Sequence, residues 1–536
     1  MFQQLLTPVG GSLALSFVVA ALPIAVVLLM LGVLKRPAWQ SSLAGLASAV
    51  IIAIGVWQFP VGLALDSVAN GVTFALWPIM WIVFAALILY NVAVQSGRFD
   101  AFRRWVLTHL PNDRRIVLIV IGYGFGALLE GVTGFGAPVA ICASLLIMLG
   151  FEAADAVVYA LLFNTAPVAF GSLGIPITTL AGVTALPADA LGAMVGRQLP
   201  FFAFLLPFYV IAMYGGLKSV KALFPVILVA GGTFAGVQFI TANFVNYTLT
   251  DVLSALSCLI VTVAFLRVWK PKPDPAFAVG VGPADQISTD HGAIPTWQGW
   301  LPWLIMCAVV ILWTIFKVAG MGQMNIQWPG LHNQVFITLY GKPYAAVWSF
   351  QPLATGTAVL VTAIITSLSL GQGVSGLAKA ASMSARQVAL PTLTVICIVG
   401  LAFLMNYSGM AYTLGQGVAA AGALFPLLSA FLGWLAVFLS GSDSSGNALF
   451  GNLQVVAARQ LNFDPVLMAA TNSSGGVFAK MISPQNIATG VAISGLRGQE
   501  AKIFSRTFLH SILLTVLLGI LVFLQQHVWT WMIPHY

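Results

Sequence analysis

Residues 130–138 read EGVTGFGAP, set between the apolar runs 116–129 and 139–149. As one helix, 116–150 would be about 50 Å long at ~1.5 Å per residue, more than a ~30 Å hydrocarbon core needs. The three glycines and Pro138 therefore divide the run into a discontinuous helix or a re-entrant hairpin. Broken backbone at membrane depth survives only where protein or a water-filled cavity satisfies its free N–H and C=O groups. Those same groups can hold a solute. A half-helix starting near Ala137 can also turn its N-terminal N–H groups toward an anion. A phosphate-loop reading of GVTGFG fails, because no Lys-Ser/Thr follows and no βαβ unit surrounds it. Close helix packing explains the glycines but not the adjoining glutamate and proline.

The rest of the chain has the same character. Of 536 residues, 60% are hydrophobic and 7% charged, against roughly 25% charged in a soluble protein, so a water-facing shell cannot be built. The net charge of +8 does not point to nucleic acid. Its Lys and Arg fall in short clusters between apolar runs, at 35–36, 98–115, 218–221, 267–272, 379–386 and 497–506, as cytoplasmic loops do. The four cysteines lie inside apolar runs without zinc or CxxC spacing, and read as small buried residues. The six histidines form no metal constellation. The N-terminal MFQQLLTPVGG lacks a basic n-region and cleavage site, so the first span is expected to be retained.

These features predict an all-α polytopic membrane protein of about 12–14 hydrophobic segments, in two inverted repeats with broken or re-entrant helices near the midplane. A Pro/Gly/Asp-rich linker, 270–297, is expected to join a first half, 1–269, to a second, 298–536. The repeat shows where the halves are least helical. EGVTGFGAP at 130 is matched by GSDSSGNALFGN at 441. Some thirty residues later, NTAPVAFGSLGIP (164–176) is matched by NSSGGVFAKMISP (472–484). The latter two share an opening Asn with a hydroxyl residue, a Phe at the seventh position and a closing Pro. Basic clusters place the approaches to the first breaks on opposite sides. Such paired interruptions mark the midplane site of many transporters.

Candidate site residues follow from charge inside apolar sequence. Glu130 and Asp443 are the acidic residues within the breaks; the other acidic residues, Asp251 included, read as loop or loop-flanking. A charge at the bilayer centre costs about 2.5–3.5 kcal/mol on insertion scales, and burial disfavours the charged form, so either carboxyl can take up and release a proton. Lys480 can neutralise a carboxylate substrate or pair with Asp443. Arg197 suits bidentate carboxylate binding or an interfacial anchor. Asn164, Thr165, Asn472, Ser473 and Ser474, with Gly134, Gly136 and Ser444 of the breaks, can hydrogen-bond a hydroxyl or carboxylate, or simply join helices. Asn406 and Tyr407 in MNYSGMAY are candidate gate residues.

The motifs GFGAPVA, NTAPVAFGSLGIPI, MVGRQLPF, NYSG, FLGWLAVFLSGSDSSGNALFGNLQ and GGVFAKMISPQNIA resemble those of the L-lactate permease family over nearly the whole chain. The resemblance implies a bacterial inner-membrane carrier without cofactor or metal, taking up a small 2-hydroxymonocarboxylate (lactate or glycolate) with a proton, its partners being that substrate and the lipid bilayer. More distantly, the paired Asn-Thr/Ser breaks look like the wider ion-transporter superfamily, which implies an elevator movement. Two competing classes stand beside this. A sodium-coupled organic-anion carrier fits carbonyls and hydroxyls at breaks equally well. A membrane-embedded Ser/Lys hydrolase would use Ser442, Ser444 or Ser445 with Lys480, but GSDSSG is not G-x-S-x-G and no histidine is near.

Overall fold

The computed structural model describes the chain except for residues 33, 35, 109, 133–136, 280–293 and 495–498. Gly134, Gly136 and half of the expected linker, 280–293, therefore lie outside the described residues.

The protein is an all-α polytopic membrane protein. Among the described residues, ten helices are long and apolar enough to cross a membrane, or eleven if one bent pair counts as a span, somewhat fewer than the sequence suggests. Much of the difference is continuity. Ala188–Phe244 is a single 57-residue element, but at ~1.5 Å per residue it is about 85 Å long and must pass twice. It bends at Gly216, whose φ of +69° suits a residue without Cβ, and Lys218 and Lys221 follow the bend. Leu15, Val18, Leu29, Ile51 and Leu509 are among the large apolar side chains left exposed, as lipid-facing positions require.

One span is unlike the others. Residues 115–132 of Arg114–Val132 are buried throughout, as a largely apolar helix is when protein surrounds it. It widens to a π turn over Leu118–Phe125 and ends at the first break, beyond which Ala137–Met148 resumes. Next, Ala153–Phe163 and Val168–Thr184 meet at 62° across Asn164–Pro167. In the second half, Phe425–Ser440 gives way at Gly441 and Ser442 to Asp443–Gln460, and Pro465–Ala479 breaks before Pro484–Ser494. Each half thus carries two helix–break–helix units in the same order. The halves interleave: Gly171–Thr184 packs on Asp443–Gln460, and Pro484–Ser494 on Ala137–Met148.

The polar, aromatic segment 317–350 holds short strands that the sequence reading did not anticipate. Met324–Gln327 pairs antiparallel with Val347–Phe350, while Val335–Ile337 pairs with Lys342–Pro343 and, in parallel, with Phe2–Gln3. Away from the membrane core, short strands can satisfy their backbone by pairing with whichever segment lies alongside.

Candidate functional site

Glu130 lies in the last turn of Gly126–Val132 and is 2% exposed. Lys480 begins the short 3-10 turn Lys480–Ile482 in the last break and is 5% exposed. Because the breaks interleave, Lys480 Nζ donates to Glu130 Oε1 at 2.5 Å. The sequence left Asp443 open as a partner for Lys480; the structure instead pairs the lysine with the glutamate of the other half. Asn164 Nδ2 donates to Glu130 Oε2 at 2.9 Å, and Asn164 Oδ1 has no partner among the described residues. The approach is tight. A Cβ at Gly171 would stand 3.0 Å from Glu130 Oε1.

Asp443 opens the helix Asp443–Gln460, whose N-cap Ser442 accepts from the Ser445 N–H. Ser473 Oγ donates to Asp443 Oδ2 at 2.5 Å, and Asn447 Nδ2 does so at 3.4 Å. Asp443 Oδ1 has no partner among the described residues.

Glu130, Lys480, Asp443 and Ser444 line one small cavity of about 50 Å³, together with Gly171, Ser172, Ser442, Gln485 and Asn486. The sequence reading did not assign Ser172, Gln485 or Asn486. Ser172 lies inside the quoted NTAPVAFGSLGIP stretch, and the other two directly follow the break proline Pro484, so nearness to a break was the available signal. Ser172 and Leu173 have φ of 47° and 59° and Gly174 of 75°. Left-handed geometry costs a non-glycine residue roughly 1–2 kcal/mol, so this turn is held by its surroundings.

Other predicted residues sit behind the cavity wall. Asn472 is fully buried; it accepts from Gln454 Nε2 at 2.7 Å and donates to Asn447 Oδ1 at 2.9 Å. Ser474 Oγ donates to Gln198 Oε1 at 2.7 Å, while Gln198 Nε2 donates to Thr471 and Gln525. Thr165 Oγ1 donates to the Leu162 carbonyl. Arg197 is elsewhere: it donates to Asn243 Oδ1 and to the Met532 carbonyl and borders an apolar cleft with Phe201, Phe239 and Trp531. Tyr407 packs at a tilt against Tyr344 with ring centroids 4.3 Å apart and accepts from Asn70; with Asn406 it borders a separate cavity beneath the 317–350 segment.

One acidic residue contradicts its loop assignment. Asp251 is fully buried in the first turn of Thr250–Val268. Its flanking polar residues look like loop sequence, but Asn246 Oδ1 accepts from the Thr248 N–H and caps the 3-10 turn Tyr247–Leu249 that leads into the helix, and Thr250 Oγ1 donates to the Asn246 carbonyl. Among the described residues, no group of three or more His, Cys, Asp or Glu could hold a metal ion.

An apolar helical bundle with a buried ion pair and a polar cavity at its helix breaks has the construction of a membrane carrier. The chain belongs to the L-lactate permease family, whose pattern matches residues 16–529. It is 40% identical over 561 residues to an L-lactate permease of Bacillus subtilis, covering 99% of each chain. It is also 40% identical over 555 residues to the glycolate permease GlcA of Escherichia coli, again covering 99% of each. Identity to the E. coli L-lactate permease is 39% over 553 residues, covering both chains in full. Among solved structures, the YdaH transporter of Alcanivorax borkumensis aligns with a TM-score of 0.47 and 14% identity over 88% of this chain and 89% of that one. The protein is thus a bacterial multi-pass permease and not an enzyme. The hydrolase alternative also lacks its dyad, since the Lys480 ammonium is engaged by Glu130.

Proposed function

We propose that this permease carries L-lactate and related 2-hydroxymonocarboxylates, glycolate among them, into the cell together with a proton. The names of its relatives support the substrate class. The Lys480–Glu130 pair, 2.5 Å apart and buried, carries the coupling argument. With the site empty and Asp443 taken as the neutral acid, Glu130 carboxylate and Lys480 ammonium sum to zero. A substrate carboxylate arriving alone would leave the buried site at −1, a costly state in a dry interior. A proton on Glu130 removes its charge and releases Lys480, which then receives the substrate carboxylate, and the sum is again zero. Only the empty site and the doubly loaded site are neutral, so substrate and proton cross together.

Asp443 Oδ1, Ser444 and Ser172 then offer polar atoms to the substrate 2-hydroxyl. The two pairs of breaks are read as inverted repeats of halves 1–269 and 298–536 joined by 270–297, which would place the cavity between them. The test is uptake of labelled L-lactate into proteoliposomes under an inward proton gradient without sodium. Accumulation that collapses with a protonophore and is competed by glycolate but not succinate is expected. Accumulation that appears only when sodium is added would move the coupling to a cation site and remove it from Glu130.

A further inference from the structure

Asp251 is a buried acid that the site as described does not use. It is 0% exposed, and neither Oδ1 nor Oδ2 has a hydrogen-bond partner among the described residues. It does not line the cavity, yet it lies against the first break: a Cβ at Gly131 would stand 2.9 Å from Asp251 Cβ. Gly131 is the residue after Glu130, so the absence of a side chain lets the aspartate close on the backbone that carries the glutamate. The helix Thr250–Val268 packs against both Gly126–Val132 and Gly171–Thr184, and Glu130 and Lys480 are the charged groups that act on Asp251.

The other titratable groups on elements around this helix are otherwise engaged or distant. The Tyr247 hydroxyl shares a hydrogen bond with Thr178, the Tyr123 hydroxyl donates to the Ala203 carbonyl, and Arg197 is bound to Asn243 and Met532. Asp189 opens the long helix Ala188–Phe244, and Gly171–Thr184 contributes no titratable group.

A carboxylate without a donor in a dry interior is disfavoured, whereas the neutral acid is tolerated. Lys480 brings one positive charge to this cluster, and Glu130 already takes it. Among the described residues Asp251 is left without a counter-charge of its own. Its place in the first turn of a helix lets the N-terminal dipole ease a transient negative charge.

Resting on the proton-coupled reading above, we propose that Asp251 is a proton-relay residue that supplies Glu130 from behind the first break. In the step, the Asp251 O–H bond breaks and an O–H bond forms on Glu130. The carboxylate left on Asp251 regains a proton from water on the side where its helix begins. The transfer leaves the charge of the pair at −1, and reprotonation of Asp251 brings it to zero, the added proton being the one that crosses with the substrate.

The experiment compares wild type, Asp251→Asn and Asp251→Glu in proteoliposomes, with infrared difference spectra of the purified proteins. In Asp251→Asn the initial rate of proton-driven lactate uptake should fall at least tenfold, lactate exchange at equilibrium should persist, and one protonated-carboxyl C=O band should vanish. Asp251→Glu should restore part of the rate. Exchange in Asp251→Asn also shows that the variant is folded; should it not fold, Asp251→Glu and the wild-type band carry the test. Wild-type uptake rate in Asp251→Asn, or an unchanged C=O band, overturns the relay. If wild-type uptake itself ignores a protonophore, the coupling reading has failed instead. The infrared band still reports whether Asp251 holds a proton.

Discussion

Lys480 and Glu130, 350 positions apart in the chain, meet at 2.5 Å inside the protein. The contact joins the last break of the second half to the first break of the first, so one hydrogen-bonded pair closes the cavity wall across both halves. Truncating either partner strands the other's charge, and this asymmetry makes the pair testable.

Glu130→Gln keeps a side chain of similar size that can still accept from Lys480 but cannot ionise. Proton-driven accumulation of lactate should fall to the equilibrium ratio, while exchange of internal for external lactate continues. Flux assays with and without a pH gradient measure both. Normal accumulation in this variant would take Glu130 out of the coupling step.

Lys480→Met leaves the Glu130 carboxylate with Asn164 as its remaining donor. Breaking a buried pair from one side costs about 3–5 kcal/mol, which should lower the thermal midpoint of the purified protein markedly. Adding Glu130→Gln removes the stranded charge, and the double variant should recover most of that loss while remaining unable to take up lactate. Equal midpoints for the single and double variants would show that the pair is not coupled.

Gly171→Ala places a methyl 3.0 Å from Glu130 Oε1. The carboxylate must give way by a few tenths of an ångström, and uptake should fall about tenfold, a change of roughly 1.4 kcal/mol in the barrier. Gly232→Ala is the control, since beyond its own helical turn a Cβ there meets nothing closer than a Phe204 ring atom at 4.0 Å, and it should transport like wild type.

Ser444 lines the cavity, whereas Ser474 is occupied with Gln198 behind it. Ser444→Ala should therefore raise KM for lactate with little effect on unfolding. Ser474→Ala should leave KM unchanged and destabilise the protein by about 1–3 kcal/mol, because Gln198 Oε1 loses its donor in a buried setting. Kinetics and thermal unfolding on the same two preparations separate the roles.

Glu130, Asp443 and Lys480 were legible in the sequence because a charge inside an apolar run is conspicuous, and glycine and proline beside it announce a break. Their pairing was not, since no local pattern relates positions 130 and 480. Asp251 was illegible for the opposite reason: a polar helix start following Asn246 and Thr248 has the composition of a loop, and it is tertiary packing, against Gly131 among others, that buries it. Arg197 stood out by its isolation, yet the side chain serves Asn243 and Met532, which a one-dimensional reading cannot bring together. The fold class rested on apolar length and was read well. Twelve to fourteen hydrophobic segments correspond to ten long helices, one bent pair and two shorter apolar helices among the described residues, because a bend such as Gly216 leaves the hydrogen-bonded helix formally continuous.

Chain order adds a consequence for biosynthesis. Glu130 emerges from the ribosome 350 residues before Lys480, an interval of about 20–70 s at ~5–20 residues per second. During it the nascent first half holds a carboxyl whose counter-charge has not yet been made. The half-finished carrier must therefore wait either protonated or with its first break open to water, and the site is sealed only as the final helices arrive.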